Sequence, residues 1–438
     1  MPSTNVAAPA PATSANGQQK TDYGAMAMVT TLFFAWGFLT CLNDILIPHL
    51  KGLFDLNYRQ AMTVQLAFFS SYCAFAYPSA KIIDFLGYQR AMVIGLCTMG
   101  LGAALFIPAA SAPSYPLFLA ALIILAAGMT VLQTSANPYV AVLGPPRTAS
   151  SRLNLTQAFN SLGTTVAPTF GSKLILGAVA APVAIEVFRA FTPDQRHAYQ
   201  IEQASAVKSP YIGLAIALFV LAVIIGLFKL PKIASAEHHA GTHGGTIWKI
   251  PHLVLGAVAI FLYVGAEVSI GSFLTNYFNR PEIGNLALKD AADMLKYYWG
   301  GAMVGRFIGS AVLQKLKPGY VLGFNSIVAA LLTLVSMLTL GHSAMWSILL
   351  VGLFNSIMFP TIFTLGVAEL GPLTGDGSGL LIAAIIGGAI VPYVQGWFAD
   401  MPSVGIHHAF FLPVLCYLYI AFYGFVGSKP KQVAAAAQ

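Results

Sequence analysis

The sequence predicts an all-α membrane protein with twelve transmembrane helices in two pseudo-symmetric six-helix halves. Three observations predict it. Of 438 residues, 57% are hydrophobic and only 8% charged, where a soluble chain carries roughly 25% charged residues. Apolar runs recur along the whole length, each near the ~20 residues that a helix needs to cross a bilayer. They are rich in Leu, Ala, Ile, Phe and Gly and alternate only weakly, which favours a helical bundle over a barrel. A polar segment, "KLPKIASAEHHAGTHGGTIWK" (229–249), divides the runs six and six.

The opening residues, "MPSTNVAAPAPATSANGQQKTD", are small, polar and Pro-rich. Residues 1–24 therefore read as a disordered tail; a signal peptide would set basic residues before an apolar stretch. The first span (25–48) holds one formally charged residue, Asp44. The second (60–85) and third (90–110) are joined across the short segment "SAKIIDFLGYQR" (79–90). The fourth (115–142) and fifth (152–178) flank a short basic loop with Arg147. The long charged loop 179–208 leads to the sixth (209–229) and closes the first half, 25–229. Residues 230–249 read as a flexible linker, since Gly, Ala, Ser and Thr separate the histidines. The second half, 250–428, holds spans at 250–278, 292–314, 319–340, 344–367, 377–399 and 408–427, and a tail follows at 429–438.

The halves echo each other. "SANPYVAVLG" (135–144) and "IMFPTIFTLG" (357–366) each place a Pro six residues before a Gly, in the fourth span of their half. A second Pro follows each, at Pro168 and Pro392. Repeated halves with a site between them near the midplane characterise many secondary transporters.

The net charge of +7 is dispersed through loops, so it carries no nucleic-acid signal. Its meaning is topological. Lys20, Lys81, Arg90, Arg147, Arg152, Lys229, Lys315, Lys317 and Lys429 gather on one side when both termini are cytoplasmic, as the positive-inside rule requires. The four cysteines, Cys41, Cys73, Cys97 and Cys416, fall in apolar runs without metal-ligand spacing and read as packing residues.

Polar residues inside the apolar runs are the candidates for chemistry. A charge at bilayer depth costs at least ~3 kcal/mol, so an intramembrane carboxylate points to function. Asp44 in the first span and Glu267 in the seventh are the two cases, and the 222-residue offset that relates Pro138 to Pro360 carries 44 to 266. A carboxyl in an apolar site can exchange a proton near neutrality, and an ionised one can hold sodium. The structural alternative for each is a hydrogen bond that fixes helix packing. Amides accompany the acids: Asn43, Gln133 and Asn137 four apart, Gln157 and Asn160 three apart, and Asn276, Asn325 and Asn355. Amides donate and accept, which suits sugar hydroxyls. Trp36, Phe34, Tyr263 and Phe359 are candidate faces for the apolar side of a sugar ring, or else core residues.

The segment 79–90 resembles the inner-loop signature of the major facilitator superfamily, an Asp-x-x-Gly-x-x-Arg pattern, with Phe85 where a basic residue is usual. "CLNDILIPHLK" (41–51), "QTSANPYVAVLG" (133–144), "SSRLNLTQAFNSLGTTVAP" (150–168), "GAEVSIGSF" (265–273), "MFPTIFTLG" (358–366) and "IIGGAIVPYVQG" (385–396) extend the likeness over the whole chain after the tail. Together they resemble the fucose:proton symporter family of that superfamily, and more closely its bacterial glucose/galactose branch. The resemblance implies twelve helices, alternating access and cation-coupled sugar uptake. It matches the family's first-helix acid to Asp44 and its fifth-helix amide to Gln157. Where the fucose branch has a Glu before its Asn-Pro motif this chain has Gln133, and where that branch has a Tyr before the "PTIF" proline it has Phe359. Both departures favour the glucose/galactose branch.

The expectation is a monomeric, multi-pass symporter of the bacterial inner membrane that takes up a hexose such as glucose or galactose. Sugar would be held by Asn43, Gln133, Asn137, Gln157, Asn160, Glu267 and Asn355, with Asp44 and Glu267 in coupling to a proton or sodium. N-acetylglucosamine is the alternative substrate, and a membrane sugar receptor that does not translocate is the alternative of another class. No cofactor, structural metal or nucleic-acid partner is expected. Neither "GxxxxGK[ST]", "HExxH" nor "GxSxG" occurs, so ATP-driven transport and these hydrolytic chemistries have no support.

Overall fold

The computed structural model describes residues 21–54, 58–171, 185–231 and 247–430, and every regular element among them is helical. α1 (Tyr23–Phe54) opens where the Asp22 carboxylate accepts the Ala25 amide at 2.9 Å, satisfying one of the donors that a helix start leaves free. α2 (Tyr58–Ser111) is one element of 54 residues, broken at Gly87, whose φ of 76° lies in the left-handed region. Glycine adopts that conformation without a Cβ penalty, so the second and third expected spans meet at a single residue. α3 (Tyr115–Val142) covers the fourth expected span. A short 3-10 turn, Pro146–Thr148, leads into α4 (Ala149–Gly171). The buried Arg152 donates to the carbonyls of Val140 (3.2 Å), Ala141 (2.6 Å) and Pro145 (2.9 Å). One guanidinium thereby satisfies two carbonyls that the end of α3 leaves without intrahelical donors and a third in the loop beyond it.

After the short α5 (Ile185–Ala190), α6 (Pro193–Leu227) begins sixteen residues before the expected 209. The reason is local. Thr192 and Gln195 form a reciprocal capping box, Pro193 occupies the first turn and Asp194 lies beside it, all favourable at a helix start. Gln200 then ties this polar stretch to the end of α1 by donating to the Leu53 carbonyl at 3.0 Å.

The second part contains α7 (Pro251–Asn279), the short α8 (Leu288–Asp293), α9 (Leu295–Val312) and α10 (Pro318–Leu338). α11 (Gly341–Asn355) and α12 (Met358–Gly366) follow one another across a two-residue break. α13 (Thr374–Ala383) and α14 (Gly387–Ala399) are joined by a 3-10 turn, Ala384–Ile386. α15 (Gly405–His408) and α16 (Phe411–Phe422) end in a π-helical turn, Tyr423–Gly427. Among the described residues, nine helical stretches are long and apolar enough to cross a membrane. α4 and α9 are outside that set, and both carry polar side chains into the contact between them.

α2 packs on α3 and α6, and α1 on α4; α7 packs on α12, α14 and α16, and α10 on α11 and α16. Two close approaches depend on glycine. A Cβ at Gly37 would collide with the backbone carbonyl of Asn160, and one at Gly387 with that of Phe261. Other contacts join the earlier helices to the later ones: α4 meets α9 and α12, and α13 meets α2 and α3. Polar groups line these seams. Ser151 donates to the Ser310 carbonyl at 2.6 Å, Ser150 and Thr364 share a 2.6 Å hydroxyl contact, and Asn154 donates to the Arg306 carbonyl at 2.6 Å. At the end of the α2–α13 contact, Lys81 bridges Asp84 (3.3 Å) and Asp376 (3.4 Å).

Candidate functional site

The expected site residues gather in two buried polar groups. The first lies on α2, α3 and α4. Gln133 and Asn137 are one helical turn apart, so they share a face of α3. Gln133 is 7% exposed and donates to the Tyr72 hydroxyl on α2 at 2.9 Å. Asn137 is fully buried. Its Oδ1 accepts from Gln157 Nε2 on α4 at 3.5 Å, the outer limit of a hydrogen bond, and its Nδ2 has no protein partner.

The second group lies on α7, α9, α11 and α16. The Tyr263 hydroxyl donates to Glu267 Oε1, one turn further along α7, at 2.7 Å. Tyr298 of α9 directs its hydroxyl to the Glu267 carbonyl at 3.4 Å and accepts from Asn355 Nδ2 at 2.9 Å. Asn355 is fully buried, and its Oδ1 has no partner. The Tyr417 hydroxyl lies beside Asn355 without a hydrogen bond of good geometry.

Arg306 of α9 joins the groups. Its guanidinium bonds Ser161 on α4, one turn beyond Gln157, and donates to the Ser356 carbonyl at 3.2 Å in the α11–α12 break. It also exerts its charge on Glu267. The broken helix matters here, because a carbonyl released from the α11 ladder becomes an acceptor for a cation. A half-buried carboxylate, a half-buried guanidinium, several buried amides and four tyrosine hydroxyls thus supply the donors and acceptors of this region.

The remaining candidates are distributed differently. Asn160 is half-buried and donates to the Phe33 carbonyl at 2.9 Å, which binds α4 to α1 beside Gly37. Asn325 bonds its own helix at the Val321 carbonyl, 2.8 Å away. Trp36 is buried against Phe33 at a ring separation of 4.1 Å, and Phe359 stacks on Phe363 at 6.2 Å. Asn43 and Asp44 fall in α1, but their side chains lie outside the described residues. Tyr72, Tyr298, Tyr417 and Arg306 are participants outside the candidates read from the sequence. The available signal was a tyrosine inside an apolar run, whose hydroxyl needs a partner once buried.

The Major Facilitator Superfamily family model matches residues 27–392. A glucose/galactose transporter of Brucella abortus (biovar 1, strain 9-941) is 52% identical over 410 residues, spanning 93% of this chain and 95% of that protein. The L-fucose-proton symporter of Escherichia coli (strain K12) is 35% identical over 410 residues, spanning 92% and 93%. The crystal structure of the fucose transporter in its outward conformation aligns with a TM-score of 0.84 at 35% identity, covering 91% of this chain and 97% of that one. A proton:xylose symporter shares the fold at 12% identity, with a TM-score of 0.71 and coverage of 93% and 97%.

Proposed function

The chain belongs to the major facilitator superfamily, and from that premise we propose that it takes up a hexose such as glucose or galactose together with a cation, by alternating access. The family resemblance of the sequence motifs is borne out, and the relatives are named for transport. Twelve passes follow if α2 crosses twice about Gly87, α11 with α12 and α13 with α14 each cross once, and α4 and α9 also cross. The halves are then 25–229 and 250–428, with 230–249 as linker and 1–24 and 429–438 as tails. The basic loops support cytoplasmic termini in a bacterial inner membrane, and we take the working unit to be a monomer.

The observation that carries the reading is that two of the unpartnered buried amide atoms among the described residues fall within the candidate site, the donor Asn137 Nδ2 and the acceptor Asn355 Oδ1. An unpaired buried polar atom costs about 1–3 kcal/mol. A sugar offers hydroxyls that donate and accept, so one ligand class satisfies both atoms. Gln133, Gln157 and Glu267 supply further partners, while Asn43 and Asn160 complete the proposed site on the α1 side. Asp44 carries the coupling event, with Glu267 as second acid. The proton is the proposed ion, because one carboxylate suffices for it, whereas a hard cation needs several oxygen ligands.

The test is uptake of labelled glucose by the purified protein in sealed proteoliposomes under an imposed proton or sodium gradient. Galactose, N-acetylglucosamine and fucose serve as competitors. Accumulation above equilibrium under the proton gradient, with galactose the strongest competitor, is the expected result. Saturable binding with no entry under either gradient would identify a receptor and overturn the proposal.

A further inference from the structure

α9 has two working faces. Met303, Arg306, Phe307 and Ser310 point toward α4, where they meet Thr165, Ser161, Phe159 and Ser151. Gly305, Ile308 and Val312 recur at three- and four-residue spacing on the nearly opposite face. They line a cavity of about 700 Å³ between α9, α10 and the α11–α12 break.

Three features describe what the cavity can hold. Its walls are apolar and open to the outside of the bundle: Ile308 is 55%, Tyr320 57% and Phe324 61% exposed. The one amide on the wall, Asn325, donates one N–H to the Val321 carbonyl of its own helix, and the walls around it are too apolar to suit a sugar. The groove runs from Gly305 to Lys315, ten residues of rise, or roughly 15 Å, which is half of a ~30 Å hydrocarbon core. At the end of that run stand Lys315 and Lys317, both exposed. Among the described residues, no carboxylate lies within ion-pair distance of either.

A groove one leaflet deep, apolar along its length and cationic at its mouth, complements an anionic phospholipid. We propose that it binds one such lipid. The phosphate sits between Lys315 and Lys317, and an acyl chain lies along Ile308, Val312 and Phe324. Two adjacent cations favour a headgroup with net negative charge over a zwitterion, whose own ammonium they repel. A symmetric second copy of the chain would instead bring the lysine pairs toward each other without counter-charge. The lipid braces α9 against α10 from the side opposite the α4 contact. Assignment to the cytoplasmic leaflet rests on the orientation proposed above, while binding itself depends on neither orientation nor sugar transport.

Native mass spectrometry of the full-length protein is the test. The protein is equilibrated in micelles containing equal phosphatidylglycerol and phosphatidylcholine with matched acyl chains. One retained phosphatidylglycerol per chain is expected. Lysines near a membrane surface are worth about 1 kcal/mol each toward anionic lipid, so K315Q/K317Q should lower the preference by roughly thirty-fold. K229Q, an equal loss of charge elsewhere on the chain, should leave it unchanged. I308W fills the groove while keeping both lysines and should abolish retention; gel filtration selects folded protein for every variant. Equal retention of the two lipids by wild type overturns the proposal. So does a K315Q/K317Q preference like that of wild type, undiminished retention in I308W, or a lipid-free dimer.

Discussion

Asn137→Leu separates a ligand-binding amide from a packing amide. Asn137 is fully buried with Nδ2 unpartnered and Oδ1 holding one long contact to Gln157 at 3.5 Å. Leu has the same branched four-atom side-chain skeleton, with somewhat bulkier ends. In the empty carrier the substitution removes an unpaired buried donor, a gain of about 1–3 kcal/mol, and leaves Gln157 Nε2 unpaired, a loss of similar size. Stability should therefore move by no more than about 1 kcal/mol. In the loaded carrier the hydroxyl bond to Nδ2 is gone, which costs about 1–3 kcal/mol, or roughly 5- to 150-fold in Kd. Calorimetric titration with glucose and galactose, beside thermal unfolding of the same preparations, reads both quantities. A Kd within twofold of wild type refutes the reasoning. A large fall in melting temperature with a proportionate loss of binding also refutes it, since a packing amide would behave that way.

Asp44→Asn keeps size and hydrogen bonding but removes the charge change, so it should abolish gradient-driven accumulation while sugar binding persists; accumulation to the wild-type level would leave Asp44 a structural residue. Gln133→Glu replaces a donor to Tyr72 with a titratable acceptor, so uptake should fall more steeply as pH rises and the new carboxyl ionises. An unchanged pH profile of uptake removes position 133 from coupling. Gly387→Ala drives a methyl into the Phe261 carbonyl; overpacking of this kind costs about 1–3 kcal/mol or more, and a normal yield and melting temperature would contradict the α7–α14 packing.

The apolar runs were legible because bilayer depth fixes their length: the run 115–142 coincides with α3 (Tyr115–Val142). The start of α6 was missed because length and apolarity say nothing about helix that continues outside the apolar run. The local code was nevertheless present, as Thr192-Pro193-Asp194-Gln195 is a capping sequence. The breaks after α11 and α13 were not legible, since Pro and Gly in an apolar run mark a kink or close packing equally well. In the candidate site, Gln133, Asn137, Gln157, Glu267 and Asn355 stood out because polar groups are costly in an apolar run. Their partners did not. Tyr72, Tyr298 and Tyr417 resemble core aromatics until burial deprives each hydroxyl of water. That Asn160 also donates to the Phe33 backbone carbonyl is not legible, because no side-chain pattern encodes a carbonyl.

The two kinds of helix contact differ in how they meet water. α7 and α14 touch through Gly387 with no room for a methyl, so nothing enters there without the backbone parting. The seams from α2 and α4 to α9, α12 and α13 are closed by Ser150, Ser151, Asn154, Thr364 and the half-exposed Lys81–Asp376 pair. Each such group finds in water a partner nearly as good as the one it leaves. A buried hydrogen bond contributes a net of about 0.5–1.5 kcal/mol and an exposed ion pair about 0–1. These seams can therefore wet and dry repeatedly, with the polar bonds adding only a few kcal/mol to each opening, while the helix groups on either side stay dry and keep their shape.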